Sequence, residues 1–389
     1  MSESTKSRIV QERPTTLEVD AVIDIDASNK KQQRGTHGAF RYFGKLAPDV
    51  TGHVLDVAAE FCNPGSGPLV DLMNGSGTTV LEGVERGWSG IGIEVNPVAL
   101  LYSRVKTTPV DTDILQKLVK ELENSTFEPG DDDIALVFGK TRNAERWFSE
   151  EALREVTRLR LLINQFDPSA ERSLLLAALL ARLRRISNAS PRTGRIFYAP
   201  ESAEGNIVAR VQESATELAK RLPALTPPAW FIQADARRTP LADSSTPLSF
   251  CHPPYFALYR FSSDVLRFEI EIGGWSRKAI QKSEVAEGWK SGDPGNLDHH
   301  VEDMGAVFDE ARRITRADGV FVLVTSNSTL GEEQMPVIDR LASEAECRGL
   351  KLLRHLERKA HHGSASYHRS ARTDKVIQRD HVLLFRPVK

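Results

Sequence analysis

The chain has 389 residues, 40% of them hydrophobic and 27% charged, which suits one large globular domain or two smaller ones. Its longest apolar run, Leu174 to Ala181, is followed at once by Arg182 and falls far short of the roughly 20 residues a membrane helix needs, so no membrane partner is expected. A formal net charge of −2 means that any nucleic-acid surface must be a local patch. Cys62, Cys251 and Cys347 are scattered, with no CxxC pair. That spacing argues against structural zinc and fits a reduced cytosolic compartment. The polar opening MSESTKSRIVQERP has no apolar core, so no secretory signal is expected.

In chain order, residues 1–33 are polar and without periodicity, and read as a flexible or loosely docked tail. From Pro68 the pattern changes: PLVDLM predicts a buried strand ending in an acid, NGSG a turn, TTVLEGVERG a helix, and WSGIGIEVN a second strand with an acid near its end. Strand, glycine turn, helix, strand is the opening of a parallel α/β sheet. The stretch 34–110 therefore reads as one half of a sheet domain. Residues 111–225 read as a helical insertion. Leu115, Leu118, Val119 and Leu122 recur at helical spacing, Ser149 caps a helix, and SAERSLLLAALLARLRRIS starts another after the break at Asp167-Pro168. Strand signals resume over 226–389, at 229–236, 247–255, 319–326, 351–358 and 381–387.

Two motifs carry chemistry. In Asp71-Leu-Met-Asn74-Gly75-Ser76-Gly77-Thr78-Thr79 the glycines let backbone approach a ligand at a helix N-terminus. Glu94, at the next strand's tip, is placed to accept from ribose hydroxyls, the other reading being a helix-capping or solvated acid. Neither GxGxxG nor GK[ST] is present, which argues against NAD and ATP. The second motif, Cys251-His252-Pro253-Pro254-Tyr255, ends an apolar strand. Two prolines without N–H groups make a rigid corner that projects His252 and Tyr255 into the crevice, or merely end the strand.

These residues resemble the DNA amino-methyltransferases, which make N6-methyladenine or N4-methylcytosine. DLMNGSGTT resembles the family's cofactor motif and HPPY its catalytic motif, an Asp, Asn or Ser before Pro-Pro and an aromatic. The segment His37 to Pro48, with Phe40 and Lys45, resembles the one that folds over the cofactor's methionine end. Asp235 and Ala236 in QADAR resemble the site for its adenine. Strands 351–358 and 381–387 look like the family's closing antiparallel pair.

The resemblance covers about 36–110 and 229–389. It implies a doubly wound, mostly parallel α/β fold of the Rossmann-like S-adenosylmethionine-dependent methyltransferase type. S-adenosylmethionine would be held by Phe40, Lys45, the Asp71 and Asn74–Thr79 turn, Glu94, Asn96, Asp235 and Ala236. DNA is the implied partner, with the target base flipped out and held by His252, Pro253, Pro254 and Tyr255. A restriction or phage-defence partner and a prokaryotic cytoplasmic setting belong to the same implication.

Leu72, Met73 and His252 depart from the family's usual Pro, Phe and Asp/Asn/Ser. A neutral imidazole can accept the amino hydrogen bond that those residues accept, and an imidazolium cannot. Arg182, Arg184, Arg185, Arg192 and Arg195, and the 361–375 loop with His361, His362, His368, Arg369, Arg372 and Lys375, are the candidate phosphate contacts, a solvated basic hairpin being the plainer reading of the loop. Its histidines lack a carboxylate at ligand spacing, so no metal site is expected. Cys251 is expected to point into the sheet, which argues against a thiolate route to C5-methylcytosine. The alternatives are a non-catalytic methyltransferase-like DNA-binding protein and an RNA or protein methyltransferase.

Overall fold

The computed structural model describes residues 15–25, 33–190, 194–200, 205–222, 227–256, 261–285, 293, 295–330, 333–359 and 379–388. Its strands are β1 (Ala21–Ile23), β2 (Leu69–Asp71), β3 (Gly90–Glu94), β4 (Ala229–Gln233), β5 (Thr246–Cys251), β6 (Thr315–Thr325), β7 (Ser328–Leu330), β8 (Glu333–Met335), β9 (Leu350–Lys359) and β10 (Arg379–Pro387). Among the described residues eight of them form one sheet in the order β1-β9-β10-β6-β5-β2-β3-β4, with β7-β8 a separate pair. Neighbours run parallel except where β10 lies antiparallel to both β6 and β9. The chain builds outward from β2 through β3 to β4, then crosses back to lay β5 and β6 on the other side of β2. The β2/β5 junction is therefore a topological switch point, where α/β sheets open their ligand crevice.

Strand alternation explains why the sheet is covered on both faces. Val320, Val322, Val324, Val382 and Leu384 point to one face, where they meet Val50, Val54 and Leu55 of α1 (Pro48–Ala58). Phe321, Leu323, Leu383 and Phe385 point to the other, against two long helices near the C-terminus. α2 (Thr78–Glu85) and α3 (Pro97–Thr107) follow β2 and β3.

Between β3 and β4 lie α4 (Thr112–Asn124), α5 (Asp131–Phe138), α6 (Ala144–Trp147), α7 (Glu150–Gln165), α8 (Ala170–Ile186) and α9 (Ile207–Ala219). Asp111, Ser149 and Ser169 cap α4, α7 and α8 through their side chains. The middle of α8, 174–181, is apolar all round, and Leu174, Leu175, Leu179, Leu180 and Leu183 are fully buried in this cluster. Each contributes about 1.5–3 kcal/mol over leaving it exposed. After β5 come α10 (Arg267–Ile272) and α11 (Arg277–Gln281), then the two long helices α12 (Asn296–Ile314) and α13 (Val337–Cys347). Phe268, Ile270 and Ile272 of α10 join the helical core, and Arg160 of α7 donates to the carbonyls of Ile272 and Gly273. The helical layer is thus built from two separated stretches of chain, which the sequence reading did not anticipate.

Part of the segment read as a tail is docked. β1 pairs with β9, Asp20 N–H donates to the His355 carbonyl at 2.9 Å, and the Asp20 carboxylate accepts from His355 N–H at 2.7 Å. The physical reason is the open edge of β9, whose unpaired backbone groups a short strand satisfies. Residues 1–14 and 26–32 lie outside the described residues. No helix among the described residues is long and apolar enough to cross a membrane.

Candidate active site

The first half of the site is local. Asp71, 2% exposed at the end of β2, accepts from Met73 N–H at 3.1 Å and from the Thr79 hydroxyl, and burial pushes its carboxyl up to about 7. Gly75 and Gly77 have φ of 52° and 82°, the left-handed region that side chains avoid. A Cβ on Gly77 would stand 2.9 Å from Ser103 Oγ. This turn delivers the chain to the start of α2, whose N-cap Gly77 makes no side-chain cap and whose first N–H groups have no intrahelical partner.

Glu94, at the end of β3, closes the other side: Oε2 accepts from Gly75 N–H at 2.8 Å and Oε1 from Asn96 N–H at 2.9 Å. Burial, and then the neighbouring Asp71 charge, push its carboxyl up to about 7 against those hydrogen bonds, so it is no solvated acid. Asn96 caps α3 through Val98 N–H at 3.0 Å. Asn74 donates to Ser103 Oγ at 2.8 Å and ties the turn to α3. Among the described residues Thr78 Oγ1 and Asn96 Nδ2 are buried without a hydrogen-bond partner, and Ser76, two positions before Thr78, is buried too.

Other expected residues are placed differently. Phe40 is stacked on Tyr102 at 4.2 Å and belongs to the helical core, so its ring is committed to packing and does not face the crevice. Tyr42, two residues on, lies against the turn, with its ring 3.2 Å from where a Gly75 Cβ would stand, and it stacks on Phe261. The sequence reading missed Tyr42, although it stands inside the segment singled out. Lys45 donates to the His37 carbonyl at 2.7 Å, and burial lowers its pKa. Asp235 accepts from Arg237 N–H at 2.9 Å and from the Arg237 guanidinium at 2.7 Å, and Arg237 also reaches Asp303. Ala236 is buried beside it. His37, Glu82 and Glu85 come together at metal-like spacing, but Arg34 and Arg86 already hold those carboxylates.

The second half is assembled from distant strands. Cys251 is fully buried in β5, where burial pushes its thiol well up, so no thiolate faces the crevice. His252 follows, with Nε2 3.0 Å from the Tyr255 hydroxyl, which donates to Asp380 Oδ1 at 2.9 Å. Burial lowers the His252 pKa to about 4, so the ring is neutral. Pro253 is buried and Pro254 half-buried. Register places this corner next to the glycine turn: Asp71 pairs with Phe250, and Leu72 N–H donates to the Phe250 carbonyl at 2.8 Å.

Of the basic residues, Arg184 requires correction. It is 7% exposed and donates to the carbonyls of Gly194 and Val265, so it braces the fold and offers nothing to a phosphate. Arg182 donates to Ser214 at 2.7 Å, Arg195 pairs with Asp264 at 3.6 Å, and Arg185 is exposed. Arg192 and the loop residues His361, His362, His368, Arg369, Arg372 and Lys375 lie outside the described residues.

Fold and site together define a doubly wound α/β protein of the Rossmann-like methyltransferase type, with its crevice at the β2/β5 switch point. No family model matches the chain. Its sequence is nonetheless similar to type II DNA methyltransferases, which bears out the resemblance read from its motifs. M.MvaI of Kocuria varians is 25% identical over 183 residues, 45% of this chain and 40% of the relative. M.MjaII of Methanocaldococcus jannaschii is 28% identical over 148 residues, 36% of this chain and 27% of the relative. The match thus spans less than half of either relative. Among solved structures, the geranyl diphosphate C-methyltransferase of Streptomyces coelicolor A3(2) aligns over 88% of this chain and 81% of its own at 8% identity, with a TM-score of only 0.37.

Proposed function

We propose that this chain methylates the exocyclic amino group of adenine at N6 or of cytosine at N4 in DNA, with S-adenosylmethionine as donor. The observation that carries the reading is a neutral His252 imidazole on a proline-braced corner, one strand from the glycine turn. Similarity to type II DNA methyltransferases supports the same substrate class.

The residues present fit the donor. Two glycines with positive φ make the turn, at places where a Cβ would be crowded, and among the described residues buried Thr78 and Asn96 atoms lack hydrogen-bond partners. Asp71, Asn74–Thr79 and Asn96 would frame it, Glu94 would take the ribose hydroxyls, Asp235 and Ala236 the adenine, and Lys45 would stand at the methionine end. When bound, S-adenosylmethionine supplies a methyl group already activated by its positive sulfur.

What the chain adds is positioning. His252 accepts a hydrogen bond from the target amino group, which draws the nitrogen lone pair out of conjugation and aims it. Pro253 and Pro254 hold that acceptor on a corner with no competing N–H. A base in a duplex must leave the stack to reach it, and the helical segment 111–225, with Arg182 and Arg185, is the proposed grip on the strand, together with the 361–375 loop. A restriction-modification or phage-defence role in a prokaryotic cytoplasm completes the reading.

The test is transfer of labelled methyl groups to DNA, RNA and protein substrates, followed by direct detection of modified bases. N6-methyladenine or N4-methylcytosine in DNA is expected. Label only in RNA or in a protein side chain would reassign the substrate, and donor binding without turnover on any DNA would make the chain a non-catalytic binder.

A further inference from the structure

Behind His252 runs a line of polar side chains that the proposed chemistry has not used. Tyr255 Oη lies 3.0 Å from His252 Nε2 and donates to Asp380 Oδ1 at 2.9 Å. Arg358 donates to Asp380 Oδ2 at 2.6 Å. Asp380 and Arg358 stand directly opposite one another on antiparallel β10 and β9, and both are largely buried. Because β10 runs antiparallel to β6, its first residues reach the edge where β5 ends, which brings Asp380 behind the His252 corner.

Proton bookkeeping along this line has one solution. A carboxylate in an ion pair only accepts, so the single Tyr255 proton goes to Asp380. The Tyr255 oxygen is then left to accept from the ring beside it, and His252 must carry its proton on Nε2. Among the described residues His252 makes no other hydrogen bond, so Nδ1 keeps a free lone pair.

We propose that Asp380, braced by Arg358, is a positioning residue that acts through Tyr255 to hold His252 in the Nε2–H tautomer, leaving Nδ1 as the acceptor for the substrate amino group. The role of Nδ1 rests on the methyl-transfer reading, whereas the tautomer does not. Burial supports the arrangement by keeping the ring neutral. The relay also accounts for a histidine where the resembled family carries Asp, Asn or Ser. Those side chains offer an oxygen lone pair whatever their surroundings, while imidazole offers Nδ1 in only one of its neutral forms.

The experiment is long-range proton–nitrogen NMR of the full chain labelled with 15N-histidine, at pH 7, with the His252 signals assigned by their loss in His252→Asn. Wild type is expected to show Nε2 protonated and Nδ1 bare. Tyr255→Phe removes only the hydroxyl and is expected to give a mixture of both tautomers. Asp380→Asn can donate its amide to the Tyr255 oxygen, so the Tyr255 proton can turn to Nε2 and shift His252 toward Nδ1–H. In both variants single-turnover methylation of DNA should fall on the order of tenfold to a hundredfold, with donor affinity unchanged. A wild-type Nδ1–H tautomer, or a tautomer unmoved by both variants, would overturn the proposal whatever the activity. The expected tautomer and its shifts without methyl transfer to any DNA would uphold the positioning role and sink the methyl-transfer reading.

Discussion

The glycine turn and the His252 corner sit one strand apart, yet they are built in opposite ways. The turn is made by residues close in sequence: Asp71, Gly75, Gly77 and Glu94 lie within one strand–helix–strand unit, and Glu94 Oε2 is bonded to Gly75 N–H. The corner draws on β5, β9 and β10, and Tyr255 meets Asp380 across 125 positions of chain. Burial also acts on them with opposite results. It raises the carboxyls of Asp71 and Glu94 to about 7 and lowers His252 to about 4. In each case the charged form is the one disfavoured. The turn thus holds acids poised between charge states near neutrality, and the corner holds a ring locked in its neutral state. One region is suited to binding that tightens as it ionises, the other to an acceptor indifferent to neutral pH.

The largest effect should separate the regions outright. His252→Ala is expected to lower single-turnover methylation by a hundredfold or more, on the order of what positioned proton-handling groups supply, while donor affinity by calorimetry stays at the wild-type value. His252→Asn, which restores an amide oxygen, should retain activity. Wild-type rates from His252→Ala would make the corner a bystander.

Next comes the turn. Glu94→Ala removes a charge-assisted acceptor and should weaken donor binding by about 1.5–3 kcal/mol, with no change in the tautomer of His252. An unchanged affinity would move the donor away from β3.

The smallest effect sharpens the contrast through pH. An ionised Glu94 accepts from hydroxyls and a protonated one does so poorly, so donor affinity should rise several-fold from pH 6 to 8, through the Glu94 pKa of about 7, and level off above that range. At saturating donor, turnover should stay flat over the same range, because His252 is already neutral and loses its acceptor only as pH falls toward 4. A turnover profile that climbs through pH 6.5 would mean that His252 titrates as a solvated ring during the proposed reaction.

The order of strands, the glycine turn, both acids and the HPPY corner could be read directly, because strand and helix periodicity and glycine geometry are short-range properties of the chain. Two apolar runs at the C-terminus marked the last two strands, whose antiparallel pairing only the family resemblance implied. Phe40 was misread since an aromatic in a loop carries no mark of whether it packs in the core or lies at the site, and it is Tyr42 nearby that lies against the glycine turn. Arg184 was misread for a related reason. A basic cluster in the last turns of a helix looks like a phosphate grip until the carbonyls of Gly194 and Val265 are seen to hold Arg184. The docked strand β1 had too few residues to show any period.

By itself, then, the sequence determined the class of fold and the chemistry offered at each strand end, since both depend on residue type and local spacing. Tertiary structure alone decided which groups act together. The Asp380–Arg358 pair exists through cross-strand register, and its reach to Tyr255 through the antiparallel placement of β10 beside β6. Register is set by packing of the whole sheet, so no local pattern could have announced that an acid at the head of β10 stands behind the histidine that follows β5.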